Sequence, residues 1–174
     1  MRKAIVAVAL LFITAGVMAG DSVPKIAVPA SEVKILLAEA STLSGLPVDP
    51  SRPLPIVVSL PQDEFDKAMC GDKVKTCSVL AAYMDAYNLI IVGSQKTADL
   101  STINGKALLI HELVHYLAQM PTEEYATVDG CTKEESRAYE AERAYLKSKG
   151  ADASWVMDRT NVFLICVSRF GGGY

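Results

Sequence analysis

Both histidines of this chain lie in one five-residue motif, His111-Glu112-Leu113-Val114-His115, and no other histidine occurs among its 174 residues. The flanking residues are apolar, and Glu112 carries the only charge within residues 108–117. This pattern predicts a buried helix, on which residues four positions apart share one face. The two imidazoles can therefore bind one zinc ion, with Glu112 beside it as a general base for a bound water.

Glu112 distinguishes two interpretations of the motif helix. In the alternative interpretation, the two histidines only satisfy hydrogen bonds within a helical core. A carboxylate buried among apolar side chains is costly unless it is paired or lies beside a metal ion. The alternative leaves Glu112 without a role, so the sequence favours a zinc site.

The N-terminal residues have the physical pattern of a signal peptide. Arg2 and Lys3 precede an uncharged apolar run over residues 4–17, and Val17-Met18-Ala19 places small residues before Gly20. We expect residues 1–19 to be removed and residues 20–174 to form one secreted or periplasmic domain. A retained membrane anchor is the alternative, but the apolar run is shorter than the roughly 20 residues that span a bilayer.

Four cysteines, Cys70, Cys77, Cys131 and Cys166, are an even number in a chain that we expect to be exported. Such a count favours disulfides, with three possible connectivities. Because Cys70 and Cys77 close a short polar loop, we predict the pairs Cys70–Cys77 and Cys131–Cys166. A zinc site made of cysteines is the alternative, but no C-x-x-C pair occurs.

Charge bears mainly on the choice of partner. The formal net charge is −3, and no cluster of Lys and Arg follows the signal segment. Nucleic acid is therefore not an expected partner. We expect a peptide or protein substrate and no membrane association after cleavage, while the sequence does not indicate an oligomeric state.

The order of the predicted elements indicates an α+β domain. A first helix over residues 31–44 precedes a short antiparallel sheet, which includes a hairpin of residues 78–83 and 89–92. The motif helix is predicted over residues 102–119. Two more helices follow: one begins at Thr132 and ends at Gly150, and one is capped by Asp152 or Ser154 and ends near Ser168. We expect five apolar side chains near or in the last helix to pack inward: Trp155, Val156, Phe163, Leu164 and Val167.

A catalytic zinc ion usually has three protein ligands and a water. Since no third histidine exists, the third ligand is an Asp, Glu or Cys, and sites with three histidines are excluded. The candidates in and before the helix after the motif are Glu134, Glu135, Glu140, Glu142 and Asp129.

The motif, together with Glu135-Ser136-Arg137-Ala138-Tyr139, resembles the small gluzincin-type metallopeptidases, in which a second helix carries a glutamate ligand within E-x-x-A-Y or E-x-x-A-N. The resemblance covers residues 79–146. It implies a small zincin-like domain in which His111, His115 and Glu135 bind zinc and Glu112 is the base. The E-x-x-x-D form of the thermolysin-like enzymes is absent.

Two alternatives concern the glutamates of this second helix. Thr132-x-x-Glu135 also fits a capping box, in which Glu135 would bond the backbone N–H of Thr132. Glu142 could accept a histidine N–H from behind the metal rather than bind the metal itself.

The functional prediction is a secreted zinc metallopeptidase. We expect an extended peptide to pair with the edge of strand 89–92, and Tyr139, Tyr125 and Tyr87 are candidate donors to the oxyanion. One alternative is a zinc-stabilised binding protein without catalytic activity, in which Glu112 would have no function. A zinc amidase acting on cell-wall peptides is another.

Overall fold

A computed structural model describes residues 25–71, 79–94 and 98–171 of the chain. The predicted signal segment, residues 1–19, lies outside the described residues. The described elements are β1 (Lys25–Ile26), α1 (Ala30–Ser44), β2 (Ile56–Leu60), α2 (Gln62–Cys70), β3 (Ala81–Met84), β4 (Leu89–Gly93), α3 (Ile103–Ala118), α4 (Thr122–Tyr125), α5 (Val128–Ser148) and α6 (Arg159–Phe170). The fold is mixed helix and strand, as predicted.

The sheet has the order β1-β2-β4-β3. Both outer pairs are antiparallel, but β2 and β4 are parallel, so the prediction of an antiparallel sheet is wrong at its centre. The chain passes through α2 between β2 and the β3–β4 hairpin, and β4 therefore runs in the same direction as β2. All five residues of β4 are buried, which suits a central strand.

The predicted hairpin is confirmed, with a short 3-10 turn over Asp85–Tyr87 between its strands. Its outer strand, however, is β3 rather than β4. The expectation that strand 89–92 offers a free edge is therefore wrong, because hydrophobic composition alone does not distinguish a central strand from an edge strand.

The motif helix α3 lies in the centre of the core, where it contacts α1, α5 and β3. Leu109, Ile110, Leu113 and Val114 are fully buried. Burial of a side chain of this size contributes about 1.5–3 kcal/mol to folding. The backbone that carries the two histidines is consequently held on several sides.

Helices α3 and α5 begin with the same local structure. Thr102 and Thr127 are their N-caps, and each hydroxyl accepts a hydrogen bond of 3.0 Å from a glycine N–H three residues later. A Cβ on Gly105 would lie 2.0 Å from the carbonyl oxygen of Asp99, and one on Gly130 would lie 1.9 Å from that of Glu124. Only glycine fits at either position.

Helix α5 therefore begins at Val128, four residues before the predicted start at Thr132. Thr132 lies within the helix, and its hydroxyl donates to the carbonyl of Val128 at 2.7 Å. The capping-box interpretation of Glu135 is wrong, because that residue lies two turns inside the helix. The early start was missed because Gly130 disfavours a helix on propensity alone.

Helix α6, in contrast, begins later than predicted, at Arg159. Asp158 caps it by accepting a hydrogen bond from the N–H of Asn161 at 2.9 Å. Val156 is buried as expected. The other four predicted inward residues are exposed: Trp155 by 50%, Phe163 by 46%, Leu164 by 57% and Val167 by 38%. Val162 and Cys166 are buried in their place, because the disulfide to α5 turns that face of α6 inward.

Within the described residues, no helix is long and apolar enough to cross a membrane.

Candidate metal centre

Helices α3 and α5 bring three of the predicted site residues to one point. The Nε2 atom of His111 lies 3.4 Å from Oε2 of Glu135, and the Nε2 atom of His115 lies 3.8 Å from the same oxygen. The three ligand atoms lie within 4.8 Å of one another. The structure thus places His111, His115 and Glu135 where one ion could contact all three.

The other ring nitrogens of the histidines face two more glutamates of α5. Nδ1 of His111 lies 3.1 Å from Oε2 of Glu142, and Nδ1 of His115 lies 2.7 Å from Oε1 of Glu134. A carboxylate at this distance favours the tautomer that carries its proton on Nδ1. The lone pair of each Nε2 is then directed toward the point shared with Glu135.

The five candidates for the third ligand thus have different positions. Glu135 faces both Nε2 atoms, whereas Glu134 and Glu142 lie behind the imidazoles, 4% and 2% exposed. Asp129 and Glu140 are exposed on α5. The alternative in which Glu142 accepts a histidine N–H agrees with this geometry.

Burial and negative charge act in opposite directions on the histidines. Burial by itself lowers the pKa of His111, but hydrogen bonds with Glu135 and Glu142 outweigh it and raise the pKa to about 10. The pKa of His115 is also raised. Burial lowers it, but the hydrogen bond with Glu134 and the nearby carboxylates raise it by more. Burial would raise the pKa of Glu135, yet the two imidazoles hold it well below its usual range. The protein alone therefore favours positive charge at this point.

This donor set fits zinc. Two imidazole nitrogens and one carboxylate oxygen are a common set of protein ligands for a catalytic zinc ion. Carboxylates behind both imidazoles are the usual companions of metal-bound histidines. Glu134, Glu135 and Glu142 also supply the negative charge that would compensate a buried divalent cation.

Glu112 lies on the same helix as the two imidazoles and is 5% exposed. Its Oε2 accepts a hydrogen bond of 2.7 Å from the backbone N–H of Tyr83 in β3. Burial raises the pKa of Glu112, although both histidines oppose the rise. The carboxylate is thus held by the edge strand and has an increased affinity for a proton.

The three candidate tyrosines occupy different positions. Tyr125 donates its hydroxyl to Oε1 of Glu135 at 2.6 Å, and burial raises its pKa, which keeps it protonated. The ring of Tyr139 lies 4.4 Å from that of His111, edge on. Tyr87 is 45% exposed in the hairpin turn and does not line the cleft. Of these three tyrosines, only Tyr125 and Tyr139 line the cleft.

Arg52, which no sequence pattern indicated, connects elements that surround the candidate site. Its guanidinium donates to the carbonyl of Tyr116 in the motif helix, to the hydroxyl of Tyr83 at 2.5 Å and to Asp85 at 2.8 Å. It also lies over the Tyr116 ring, 4.1 Å from the centroid. Arg52 thereby ties the β3–β4 hairpin to α3. It lies in a proline-rich connector, and no local pattern indicates such a role.

A cleft of about 650 Å³ runs beside the candidate metal centre between β3, α3, α5 and α6. Glu112, the two histidines and Glu135 line it, so the site is accessible from this space. Arg169 of α6, a second residue that sequence analysis missed, also lines the cleft and donates to the hydroxyl of Tyr125 at 3.2 Å.

The predicted disulfide Cys131–Cys166 is confirmed, with the two Cα atoms 5.8 Å apart. Cys131 lies one helical turn before Glu135, so the bond fixes α6 against the part of α5 that carries the candidate ligand. The other predicted pair, Cys70–Cys77, includes Cys77, which lies outside the described residues.

Comparisons of this chain with protein-family models, with curated proteins and with solved structures find no match.

Proposed function

We propose that this protein is an exported zinc-dependent peptidase. One observation supports the proposal above all others. His111, His115 and Glu135 converge beside a buried carboxylate, Glu112, at the wall of a cleft. A zinc site that serves only the fold needs no base and no access to a cleft.

In the proposed reaction, His111, His115 and Glu135 would hold a zinc ion, which would supply Lewis acidity. Glu112 accepts the proton of the attacking water and delivers it to the leaving amine. Glu134 and Glu142 keep the imidazoles oriented.

The edge strand β3 is the proposed place for the substrate backbone. The N–H of Tyr83 bonds Glu112, and the carbonyl of Leu80 accepts from Gly93 in β4. In an antiparallel pair, alternate residues direct their N–H and C=O groups toward the partner strand. Because Leu80 bonds β4, the main-chain groups of Ala81 and Tyr83 point away from β4. An extended peptide can add to this edge through main-chain hydrogen bonds. Its scissile bond would then lie near Glu112.

Export is part of the proposal. It is supported by the N-terminal sequence pattern and by the Cys131–Cys166 disulfide, a bond that is rare in reducing compartments.

The test compares the parent protein, produced from the full chain with export, with the variant Glu112→Gln. Both are loaded with zinc and incubated with a mixed peptide library, and cleavage is followed by mass spectrometry. We expect the parent to cleave peptides and Glu112→Gln to lose about 10²–10⁴ in rate while retaining about one zinc per chain. Glu140→Gln, the same change at an exposed position of α5, is the control.

Two results would overturn the proposal. The first is a zinc-loaded parent that cleaves no peptide of the library. The second is a Glu112→Gln variant that cleaves at a rate comparable to the parent.

A further inference from the structure

We propose that Arg169 selects peptides that carry a carboxylate group close to the scissile bond. This inference rests on the proposed peptidase function and names the substrate chemistry of the same cleft. The carboxylate can belong to an acidic side chain or to the free C-terminus of the peptide.

Arg169 lies close to the candidate metal centre. Its Nη1 donates to the hydroxyl of Tyr125 at 3.2 Å, and that hydroxyl donates to Glu135 at 2.6 Å. The guanidinium is thus two hydrogen bonds from the metal centre. A peptide with its scissile bond at the centre places the neighbouring residues within reach of this side chain, since adjacent Cα atoms are about 3.8 Å apart.

The positive charge of Arg169 favours an anionic ligand. Among the described residues that line the cleft, it is the only Lys or Arg. No described carboxylate lies within ion-pair distance of it, although Lys106, Lys149 and Arg52 all have such partners. A guanidinium has five N–H donors. The described structure shows one of them in use, on a neutral hydroxyl.

Apolar side chains line the cleft together with Arg169. Trp155, Met157 and Ile165 also line the cleft, and Ile165 lies about one turn before Arg169 on α6. Arg169 is itself exposed, so a peptide in the cleft can reach its guanidinium. The planar guanidinium fits a carboxylate through two parallel hydrogen bonds. A peptide carboxylate is therefore the ligand that this position suits best.

The glutamates of the metal centre restrict the effect to one position of the substrate. Glu112 and Glu135 line the cleft at the candidate ion site and would repel an acidic group placed beside them. We therefore expect one substrate position to prefer an acidic residue, rather than a general preference for acidic peptides.

The first experiment measures kcat/KM on peptides that differ only by Glu, Gln or Lys at each position around the scissile bond, each with a free or an amidated C-terminus. We expect one position to favour Glu over Gln by about two- to fivefold. If the free C-terminus of the peptide supplies the carboxylate, amidation of that terminus should lower kcat/KM by the same factor. In Arg169→Gln the ratio should fall to near one, and Arg169→Glu should favour Lys. Arg159→Gln, a change of the same type at the first turn of α6 and outside the cleft, should keep the parent ratio.

The second experiment measures binding without cleavage. Zinc-loaded Glu112→Gln is titrated with fluorescent peptides, and the Glu peptide should bind about two- to fivefold more tightly than the Gln peptide. Adding Arg169→Gln to this variant should remove the difference while zinc content is unchanged.

Either of two results would overturn the inference: a parent with no charge preference at any position, or a preference that persists in Arg169→Gln. Cleavage without charge preference would leave the peptidase proposal intact. A parent that cleaves nothing would overturn the peptidase proposal, and the binding titration would then decide the role of Arg169 by itself.

Discussion

Helices α3 and α5 begin with the same threonine–glycine structure, yet they contribute to the candidate site in different ways. Helix α3 supplies both imidazoles and the carboxylate of Glu112 from five consecutive residues. Helix α5 supplies three glutamates, of which one faces the Nε2 atoms and two face the Nδ1 atoms. The first contribution follows from the spacing along one helix, and the second depends on how two helices cross.

The two helices also differ in how the fold supports them. Helix α3 is buried among α1, α5 and β3. Besides its contact with α3, the beginning of α5 packs against α4 and α6, and Cys131 bonds it covalently to α6. The position of α3 therefore depends on the main core, whereas the position of Glu135 depends partly on a disulfide.

Removing that disulfide is expected to give the largest change in stability. The bond closes 35 residues, for which the chain-entropy relation gives about 4 kcal/mol. In Cys131→Ala/Cys166→Ala we expect this loss in urea unfolding. Native-state hydrogen exchange should show the loss of protection concentrated in α6 and the first turns of α5. Equal loss across α3 would contradict the difference in support between the two helices.

The glutamates behind the imidazoles should have the next largest effect. Glu142→Gln and Glu134→Gln each replace a charged acceptor of a histidine N–H by a neutral one, and such changes cost about 10–100-fold in metal affinity. Competitive titration with a zinc chelator measures this, with Glu140→Gln as the exposed control on the same helix. Affinities equal to the control would show that the Nδ1 contacts do not orient the imidazoles.

The smallest effects concern the two N-caps. Thr102→Ala and Thr127→Ala remove equivalent hydrogen bonds, so each should lower the free energy of unfolding by about 1 kcal/mol. Because Thr127 lies at the less supported end of the site, only Thr127→Ala should also weaken zinc binding measurably. An equal effect of both changes on zinc affinity would contradict the proposed difference in support between α3 and α5.

Local patterns predicted the parts of the molecule that local forces determine. The first helix, the β3–β4 hairpin and the motif helix lie where the spacing of apolar residues places them. The convergence of Glu135 with the histidines also agrees with prediction, but residue type left five candidates. Helix α5 turns Glu134, Glu135 and Glu142 toward α3 together, and only the crossing of the two helices gives each glutamate its partner.

Long-range contacts account for the errors. Helix α6 has apolar residues on more than one face, and the disulfide rather than the pattern selects Val162 and Cys166 for burial. Arg52 and Arg169 are distant in sequence from the residues they contact, so spacing gave no indication of either. The start of α5 is different, since Thr127-x-x-Gly130 repeats the start of α3 and could have been recognised.

The zinc affinity of Glu135→Gln is the decisive measurement for the proposed metal centre, in which this side chain binds the ion together with His111 and His115. The change replaces a charged oxygen that faces both Nε2 atoms and leaves the helix caps intact. The expected fall exceeds the roughly hundredfold limit for residues behind the ligands, and the change in Glu140→Gln should be negligible. An affinity for Glu135→Gln close to that of the parent would contradict the account.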